Sequence, residues 1–412
     1  MMIGTAGLEE RCGCCIAGGG PAGMMLGLLL ARAGIDVLVL EKHADFLRDF
    51  RGDTIHPSTL EVMHELGMLD DFLTLPHQEM RELSAQVGDV RVPVADFTHL
   101  PTRCKFVAFM PQWDFLDFLA ARAARYPSFR LWMRAEATGL LEESGRVVGV
   151  EVMTPEGRRE VRADLVVGAD GRHSTVREGA GLAVQELGAP MDVLWFRLSR
   201  RPDDPAATMG RFDGGRIFVL IQRGTYWQCG YVIAKGTIDQ IHRQGIEAFR
   251  ESVARVVPFA RDRVGELRGW ADVSLLTVRV DRLERWYRPG LLCIGDAAHA
   301  MSPVGGVGIN LALQDAVAAA NLLAAPLKQG RLAVGDLLRV QRRREMPTRI
   351  TQWLQVQAQK RVIAPVLGGA APSRLPLALR LLRRFAVLRR IPARLIGIGV
   401  RPEHVKSPAV SG

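Results

Sequence analysis

The sequence predicts an α/β fold in which a doubly wound, mostly parallel sheet is interrupted by an antiparallel sheet and followed by C-terminal helices. Two observations lead to this prediction. Short apolar runs at residues 14–17, 163–167 and 290–294 each lead into a glycine-containing turn, as parallel strands of nucleotide-binding domains do. Residues 193–233 contain strand patterns rich in aromatic side chains, which favours a second, antiparallel sheet.

The first unit consists of a strand at 14–17, a helix at 22–33 and a strand at 36–40. Its turn contains the glycines Gly18, Gly20 and Gly23. This spacing lets the chain turn tightly and lets the backbone approach a pyrophosphate at the start of the helix. Glu41 follows Gly20 by 21 positions, where a carboxylate can accept hydrogen bonds from ribose hydroxyls. The unit predicts a dinucleotide site but does not decide between FAD and NAD.

The later elements alternate in the same way. The patterns predict helices at 60–66 and 115–125, a β-meander at 131–152, strands at 163–167, 195–198, 216–222, 226–233 and 290–294, and a helix at 309–324. We expect a discontinuous nucleotide-binding domain at 1–80, 104–178 and 281–372. The expected substrate domain is 81–103 and 179–280, and the expected helical tail is 373–412.

Composition restricts the class of protein. The 412 residues are 48% hydrophobic, and 54 Lys and Arg against 44 Asp and Glu give a net charge of +10, which favours acidic partners such as dinucleotides. Nucleic-acid binding is not expected, because no basic motif is interleaved with aromatic residues. Cys12 and Cys15 have CxxC spacing, but no second pair accompanies them, so we expect reduced cysteines in a buried strand and no metal site.

The N-terminus contains Glu9 and Glu10 and lacks a basic region followed by an apolar stretch. No run of about 18 apolar residues is evident. We therefore expect a cytoplasmic protein that is soluble or, at most, peripheral to a membrane.

Two further motifs follow predicted strands in a fixed order. Residues 168–174 read Gly-Ala-Asp-Gly-Arg-His-Ser and are followed by Arg177, and residues 295–299 read Gly-Asp-Ala-Ala-His and lead to Pro-Val-Gly-Gly-Val-Gly-Ile-Asn at 303–310. Together with the glycine turn, they make residues 14–323 resemble the para-hydroxybenzoate hydroxylase family of class A FAD-dependent monooxygenases. The resemblance implies a Rossmann-like FAD-binding domain of the GR2 type that carries an inserted substrate sheet.

The resemblance also implies FAD as cofactor and NADPH or NADH as co-substrate. Glu41 would hold the adenosine ribose, and Asp296 would bind the ribityl or pyrophosphate region. Asp170 would serve FAD and the nicotinamide cofactor, although an Asx turn that fixes the end of the strand is the alternative interpretation. The remaining implied contacts of FAD are Gly18, Gly20, Gly23, Lys42, Arg51, Gln112, Pro303, Gly306, Gly308, Ile309 and Asn310. Lys42, His43 and Arg48 could read a 2′-phosphate, although solvated loop charges are an equally good interpretation.

No side chain is assigned a catalytic role with certainty. His56 could lie near the substrate, but a loop histidine bonded to backbone is at least as good an interpretation, and His299 is expected to be structural. The Pro303 backbone is expected near the flavin. A helix that opens at 308–310 would stabilise an anionic reduced flavin with its positive end.

The implied reaction is hydroxylation of an aromatic substrate by NAD(P)H and O2 through a flavin C4a-hydroperoxide. The candidate substrate contacts on the inserted sheet are Trp195, Phe218, Trp227 and Tyr231, although core packing is the better interpretation of any single one of them. Arg197 or Arg223 could bind a carboxylate, but no evident clamp exists, which favours a bulky polycyclic or quinone-like substrate. The alternatives are a reductase, oxidase or halogenase on the same fold, or a non-catalytic FAD-binding regulator; the protein could be a monomer or a homodimer.

The basic, apolar tail permits two interpretations. Arg380, Arg383 and Arg384 have helical spacing, and Leu377, Leu381, Phe385 and Leu388 line another face. Residues 374–400 could form a helical hairpin that covers the core or a helix that lies on a membrane. Pro376, Pro392, Gly397 and Gly399 interrupt a single long helix, so the covering hairpin is the favoured interpretation.

Overall fold

The computed structural model describes residues 10–47, 54–88, 90–205, 209–369 and 377–410. The predicted flavin ligand Arg51 and its neighbour Arg48 lie outside these residues. The described strands are β1 Glu10–Ala17, β2 Val37–Glu41, β3 Thr54–Ile55, β4 Gln78–Met80, β5 Glu82–Val87, β6 Val90–Asp96, β7 Val107–Phe109, β8 Phe129–Met133, β9 Glu136–Glu143, β10 Arg146–Thr154, β11 Gly157–Gly168, β12 Val184–Glu186, β13 Met191–Ser199, β14 Met209–Asp213, β15 Arg216–Arg223, β16 Tyr226–Ala234, β17 Ser274–Leu276, β18 Asp281–Leu283, β19 Tyr287–Arg288 and β20 Leu291–Cys293.

The helices alternate with these strands in the nucleotide-binding part of the chain. The described α-helices are α1 Pro21–Arg32, α2 Pro57–Glu65, α3 Leu69–Phe72, α4 Gln112–Ala123, α5 Thr175–Gly179, α6 Ile238–Val256, α7 Gly308–Lys328, α8 Val334–Ala358, α9 Ala364–Leu367, α10 Leu377–Arg384 and α11 Arg390–Gly397.

The first sheet is the parallel sheet that the sequence predicts. Its central strands run in the order β20, β11, β1, β2 and β8, and each neighbouring pair in that order is parallel. β1, β2 and the end of β11 are buried apolar runs, because α1, α4 and α7 cover this sheet. The predicted α/β fold with a parallel sheet is confirmed.

The second sheet is antiparallel except at one pair. Its strand order is β17, β13, β16, β15, β14, β5 and β6, and β14 pairs with β5 in parallel. The long connection between the two segments permits this parallel pair, because parallel neighbours cannot be joined by a hairpin. One face of the sheet packs against α6, and the opposite face points toward the loop at 303–306.

Helix α7 corrects one sequence expectation. Val304–Lys328 is long and apolar enough, by length and composition, to cross a membrane. However, 67% of its apolar window is buried in the protein, where α7 packs against α1 and α8. Core packing therefore explains its composition.

The described part of the tail forms two short helices rather than one long one. α10 and α11 are joined by a 3₁₀ turn at Ala386–Arg389, and both helices contact β6. α11 also approaches the 3₁₀ turn at Phe97–His99, where Gly397 leaves no side chain between the two elements. A Cβ on Gly397 would lie 2.7 Å from the side chain of Leu100. The tail thus covers the edge of the second sheet.

Candidate cofactor and substrate site

The glycine turn after β1 is shaped by close backbone contacts. Gly18 has a φ of 109°, and a Cβ there would lie 2.3 Å from the carbonyl oxygen of Ala169. A Cβ on Gly23 would lie 1.9 Å from the carbonyl oxygen of Gly18. At Gly20, by contrast, a Cβ would meet no atom within 4 Å. Gly18 and Gly23 are therefore needed to build the turn, whereas Gly20 borders open space at the start of α1.

Glu41 is buried beside this turn. Its Oε2 accepts a hydrogen bond from the backbone N–H of Gly19 at 3.2 Å, and its Oε1 accepts one from His43 at 2.9 Å. The carboxylate thus connects the end of β2 to the turn after β1. Lys42 points elsewhere, since its Nζ lies 3.8 Å from Glu136 at the surface.

Two more acidic residues lie at the same edge of the parallel sheet. Asp170 follows β11, the neighbour of β1, and Asp296 follows β20, the neighbour of β11, so both stand at carboxyl ends of parallel strands on the same side of β1. Ligands of open α/β sheets bind at this edge. Asp296 lies 3.9 Å from the guanidinium of Arg172, so the two motifs after β11 and β20 meet.

The Asp170 carboxylate is only half used by the protein. Its Oδ2 accepts the backbone N–H of Val176 at 3.2 Å, whereas its buried Oδ1 has no hydrogen-bond partner among the described residues. Burial raises the pKa of Asp170 above its ordinary value. Because buried polar atoms are normally hydrogen-bonded, Oδ1 of Asp170 is available to accept a hydrogen bond from a molecule bound at this edge.

The loop before α7 is held to the segment at 54–59 by backbone and side-chain bonds. Gly305 and Gly306 have positive φ values of 82° and 62°, and the carbonyl of Gly306 accepts the Thr54 hydroxyl at 2.8 Å. Asn310 Nδ2 donates to the carbonyl of Thr54 at 3.1 Å. The first turn of α7 has no side-chain cap, so its backbone N–H groups are left for another partner.

His56 lies under this junction and is 1% exposed. Its Nδ1 lies 2.7 Å from the carbonyl oxygen of Ile396. Because a carbonyl can only accept, Nδ1 carries the proton and donates a hydrogen bond to this carbonyl in the tail. Burial lowers the pKa of His56 to about 4. The imidazole is therefore neutral at physiological pH and connects the tail to the residue before α2.

Sequence reasoning missed a row of glutamines on α8 and its continuation that supports the same loop. Gln355 Nε2 donates to the carbonyls of Ser302 and Val304 at 2.9 Å each. Gln359 donates to the Ser302 hydroxyl at 2.7 Å, and Gln352 donates to the carbonyl of Ala300 at 3.1 Å. The spacing of the glutamines at 352, 355 and 359, which places them on one helix face, could have indicated this row from the sequence. The structure shows that all three are buried.

A buried ionic network was also missed. Asp315 on α7 is fully buried and accepts from the backbone N–H of Gly295, from His299 at 2.5 Å and from Arg344 at 2.9 Å. Arg344 in turn contacts Glu403 of the tail at 3.4 Å. His299 and Arg344 hold the pKa of Asp315 below its ordinary value despite its burial. Through Asp315, His299 is connected to the turn that carries Asp296.

The structure corrects the sequence prediction for three of the four aromatic residues on the second sheet. Phe218, Trp227 and Tyr231 are buried in the core between the sheet and α6. Trp227 Nε1 donates at 2.8 Å to Asp204, which also binds Arg263. These side chains alternate to the face that points away from the loop at 303–306, so they support the sheet and do not reach a substrate there.

Trp195 points to the opposite face of the sheet. It packs in apolar clusters that also include Val304 of the loop before α7 and Ile396 of α11. Its indole lies over Gly230, its direct partner across β13 and β16, where a Cβ would come within 3.0 Å of the ring. Trp195 therefore belongs to the wall between the second sheet and the loop.

The remaining candidates are placed as follows. Gln112 is the first residue of α4 and is partly buried. Arg197 lies with its guanidinium 4.9 Å from the centre of the Tyr226 ring, and Arg223 donates to Gln228 at 3.1 Å. Both arginines are thus engaged by neighbouring side chains of the sheet.

These features fit a dinucleotide. The open space at Gly20, the uncapped start of α1, the buried Glu41 and the orphaned Asp170 Oδ1 lie along one edge of the parallel sheet. Backbone N–H groups at a helix start suit a pyrophosphate, and carboxylates suit hydroxyl groups. The uncapped start of α7 provides a second set of donors, close in the chain to Val304 of the apolar cluster around Trp195.

Comparison with known proteins agrees with this geometry. Residues 11–353 match the FAD binding domain family. The chain is 32% identical over 381 residues to 6-methylpretetramide 4-monooxygenase of Streptomyces rimosus, which covers 92% of this chain and 91% of that protein. It is 27% identical over 314 residues to dialkyldecalin synthase of Streptomyces rugosporus, which covers 73% of this chain but only 63% of the synthase.

A solved structure is similar over almost the whole chain. The anhydrotetracycline hydroxylase OxyS of Streptomyces rimosus superposes with a TM-score of 0.74 at 25% identity, covering 98% of this chain and 78% of that one. The chain therefore belongs to the FAD binding domain family. It is a class A FAD-dependent aromatic monooxygenase that uses NAD(P)H and O2, as the resemblance implied.

Proposed function

We propose that this monooxygenase hydroxylates a fused-ring, polycyclic aromatic substrate. The observation that carries the proposal is the apolar wall around Trp195. The described wall combines the indole with Val219 of the sheet, Val304 of the loop before α7 and Ile396 of the tail, all of which are only partly buried. A broad, apolar and aromatic surface suits a large flat substrate better than a small benzoate. The relative that aligns with 92% of this chain is named for action on 6-methylpretetramide, which supports a polycyclic substrate.

We further propose which residues hold FAD. Gly18, Gly20 and Gly23 would place the pyrophosphate at the start of α1, and Glu41 would bind the adenosine ribose. Asp296 would bind the ribityl or pyrophosphate region, and Asp170 would offer its Oδ1 to the cofactor. Pro303, Gly306, Gly308, Ile309 and Asn310 would lie along the isoalloxazine ring. When bound and reduced by NAD(P)H, FAD would activate O2 for transfer of one oxygen atom to the aromatic ring.

The chain's own residues would orient the reactants and exclude water. The uncapped N–H groups of the first turn of α7 would supply positive potential to a cofactor ring held beside them. The glutamines of α8 fix the loop at 302–304, so the donors keep their positions during turnover. The tail closes the wall with Ile396 and thereby limits the access of water.

The proposal is tested by product analysis. The FAD-loaded protein is incubated with NADPH, ¹⁸O₂ and a panel of phenols that contain one to four fused rings, and products are examined by mass spectrometry. We expect one ¹⁸O atom in the product of a multi-ring phenol and fast NADPH oxidation only with that substrate. Turnover of single-ring phenols alone would contradict the polycyclic proposal but not the monooxygenase class.

The cofactor assignment is tested separately with Glu41→Ala. Loss of a hydrogen-bonded carboxylate at a buried ribose costs about 1–3 kcal/mol, which corresponds to a Kd for FAD raised roughly 5- to 150-fold. The Kd is measured by quenching of flavin fluorescence. Glu143→Ala is the matched control, because Glu143 is an exposed carboxylate on β9 that pairs with Arg162. An unchanged Kd in Glu41→Ala would remove Glu41 from the FAD site.

A further inference from the structure

The tail has an inner face that is built into the protein. Ala393 and Gly397 of α11 are one helical turn apart and buried, and Ile396 packs in the cluster that contains Trp195. His56 holds the carbonyl of Ile396, and Arg344 holds Glu403 further along the chain. These contacts fix the orientation of α11, so its opposite face is held toward the solvent.

The outer face of α10 and α11 is apolar and exposed. Leu377, Leu381 and Phe385 follow one another at four-residue spacing, and Leu377 and Phe385 are 63% and 50% exposed. Val387 is 66% exposed in the turn between the helices, and Ile391 is 60% exposed at the start of α11. Large apolar side chains with this exposure in a row indicate a surface that contacts another phase or molecule.

The same segment is strongly basic. From Leu377 to Gly397 the sequence contains six Arg residues and no Asp or Glu, and it lies within a longer stretch, Met346 to Pro402, that has 11 Lys and Arg and no acidic residue. On α10 and α11, Arg380, Arg383, Arg384, Arg390 and Arg394 are exposed beside the apolar side chains. The surface therefore combines apolar contact with attraction to negative charge.

We infer that the outer face of α10 and α11 docks the enzyme on an anionic lipid surface. Alternation of arginine with exposed leucine, phenylalanine and isoleucine is the composition of helices that lie in the membrane interface. A second copy of the chain is disfavoured as the occupant, because it would bring two sets of arginines together with no acidic residue in either segment. The core of a protein interface is, in addition, depleted of charged residues.

Docking through this face has a consequence for the active site. α11 lies between the lipid and the substrate wall, with Ile391 on the outside and Ile396 against the Trp195 cluster. An apolar substrate dissolved in the lipid would therefore be one helix thickness from the wall. This inference holds whichever aromatic compound the enzyme hydroxylates.

The test is flotation of the full-length, FAD-loaded protein with vesicles. One set contains equal amounts of phosphatidylcholine and phosphatidylglycerol, and the other contains phosphatidylcholine alone. We expect binding to the anionic vesicles and weak binding to the neutral ones. Raising the salt concentration to 1 M should release the protein in part, because the Debye length falls to about 3 Å.

Two double variants separate the contributions. Arg380→Glu with Arg383→Glu should weaken binding to anionic vesicles by about tenfold or more, since each basic residue near such a surface contributes appreciably. Phe385→Gln with Ile391→Gln should weaken it through loss of apolar contact. The matched controls are Arg243→Glu with Arg255→Glu on α6, on the far side of the second sheet, and Met153→Gln on β10. The controls should bind vesicles as the parent does.

The mutated side chains are exposed, so the flavin spectrum and the free energy of unfolding should stay unchanged in every variant. Failure of the parent to float with anionic vesicles would overturn the proposal. Equal binding by the tail variants and the controls would also overturn it. A concentration-dependent dimer in sedimentation, lost in the Phe385 and Ile391 variant, would assign the face to a second copy if no vesicle binding accompanied it.

Discussion

The side-chain Oδ1 of Asn310 accepts the backbone N–H of His56 at 2.8 Å and the hydroxyl of Thr59 at 2.7 Å. A single side chain in the first turn of α7 thus fixes His56, the residue before α2, which is 254 residues earlier in the chain. The loop before α7 and the segment at 54–59 are consequently one structural unit. Asn310 was predicted only as a contact of the isoalloxazine ring.

Asn310→Ala should destabilise the protein. Loss of its oxygen leaves the buried N–H of His56 and the Thr59 hydroxyl without their acceptor, which costs about 1–3 kcal/mol in the free energy of unfolding. The measurement is urea denaturation of the FAD-loaded protein. Thr59→Val removes one of these bonds and should have a smaller effect. If Thr59→Val cost as much as Asn310→Ala, the bond to His56 would contribute nothing.

Substitutions in the glycine turn should separate folding from cofactor binding. Gly18→Ala places a methyl group 2.3 Å from the carbonyl of Ala169 at positive φ, so we expect little folded protein. Gly20→Ala meets no protein atom and should fold normally, but the methyl group would occupy the space proposed for the pyrophosphate. Circular dichroism reports the fold, and the flavin content of the purified protein reports binding. Full flavin content in folded Gly20→Ala would place the pyrophosphate elsewhere.

His56 should make the protein less stable in mild acid. Its pKa is lowered from 6.5 to about 4 in the folded protein, so the unfolded chain binds a proton between these pH values and the folded chain does not. The contribution of His56 to the free energy of unfolding is therefore fully present above pH 6.5. It is lost as the pH is lowered toward 4, by about 3 kcal/mol in total. Urea denaturation at pH 7 and pH 5 measures the loss. His56→Asn should show a smaller loss than the parent; an equal loss would exclude His56 as its source.

Trp195 and Trp227 should behave differently although both lie on the second sheet. Trp195→Leu removes ring contact from the proposed substrate wall and should raise KM by roughly tenfold or more, for about 1.5–3 kcal/mol of lost apolar contact. Trp227→Phe deletes the hydrogen bond to buried Asp204 and should lower the free energy of unfolding by about 1–3 kcal/mol at unchanged KM. Steady-state kinetics and urea denaturation of both variants decide. A raised KM in Trp227→Phe alone would reverse the two assignments.

The parallel sheet and its motifs could be predicted because local sequence specifies them. A buried apolar strand, glycines at fixed spacing and an acid at the end of the second strand are dictated by backbone sterics and by the period of the strand. The order of Gly18, Asp170, Asp296 and Pro303 along the chain was enough to indicate the family. The match of residues 11–353 to the FAD binding domain confirms it.

The orientation of the aromatic side chains could not be predicted, because alternation along a strand defines two faces but does not say which face meets which layer. Only the position of α6 shows that Phe218, Trp227 and Tyr231 are on the inner side of that helix. The buried network around Asp315 could likewise not be predicted, since its partner Arg344 and the Glu403 that Arg344 contacts come from α8 and the tail, and long-range ion pairs leave no periodic signal. The glutamine row on α8 did leave one, at helical spacing, but only burial shows its purpose.

Gly230 gives the Trp195 cluster a means of change that leaves every proposed cofactor contact intact. The indole rests on a residue that has only a hydrogen at the point of contact, so replacement by alanine would press on the ring from within 3.0 Å. A tilt of the indole would change the shape of the proposed substrate surface, while the backbone of β13, β16 and the loop would stay in place. Substrate preference would thus depend on a residue that contacts neither substrate nor cofactor. Gly230→Ala, which adds one methyl group beneath the indole, is the smallest substitution that would alter the shape of the pocket.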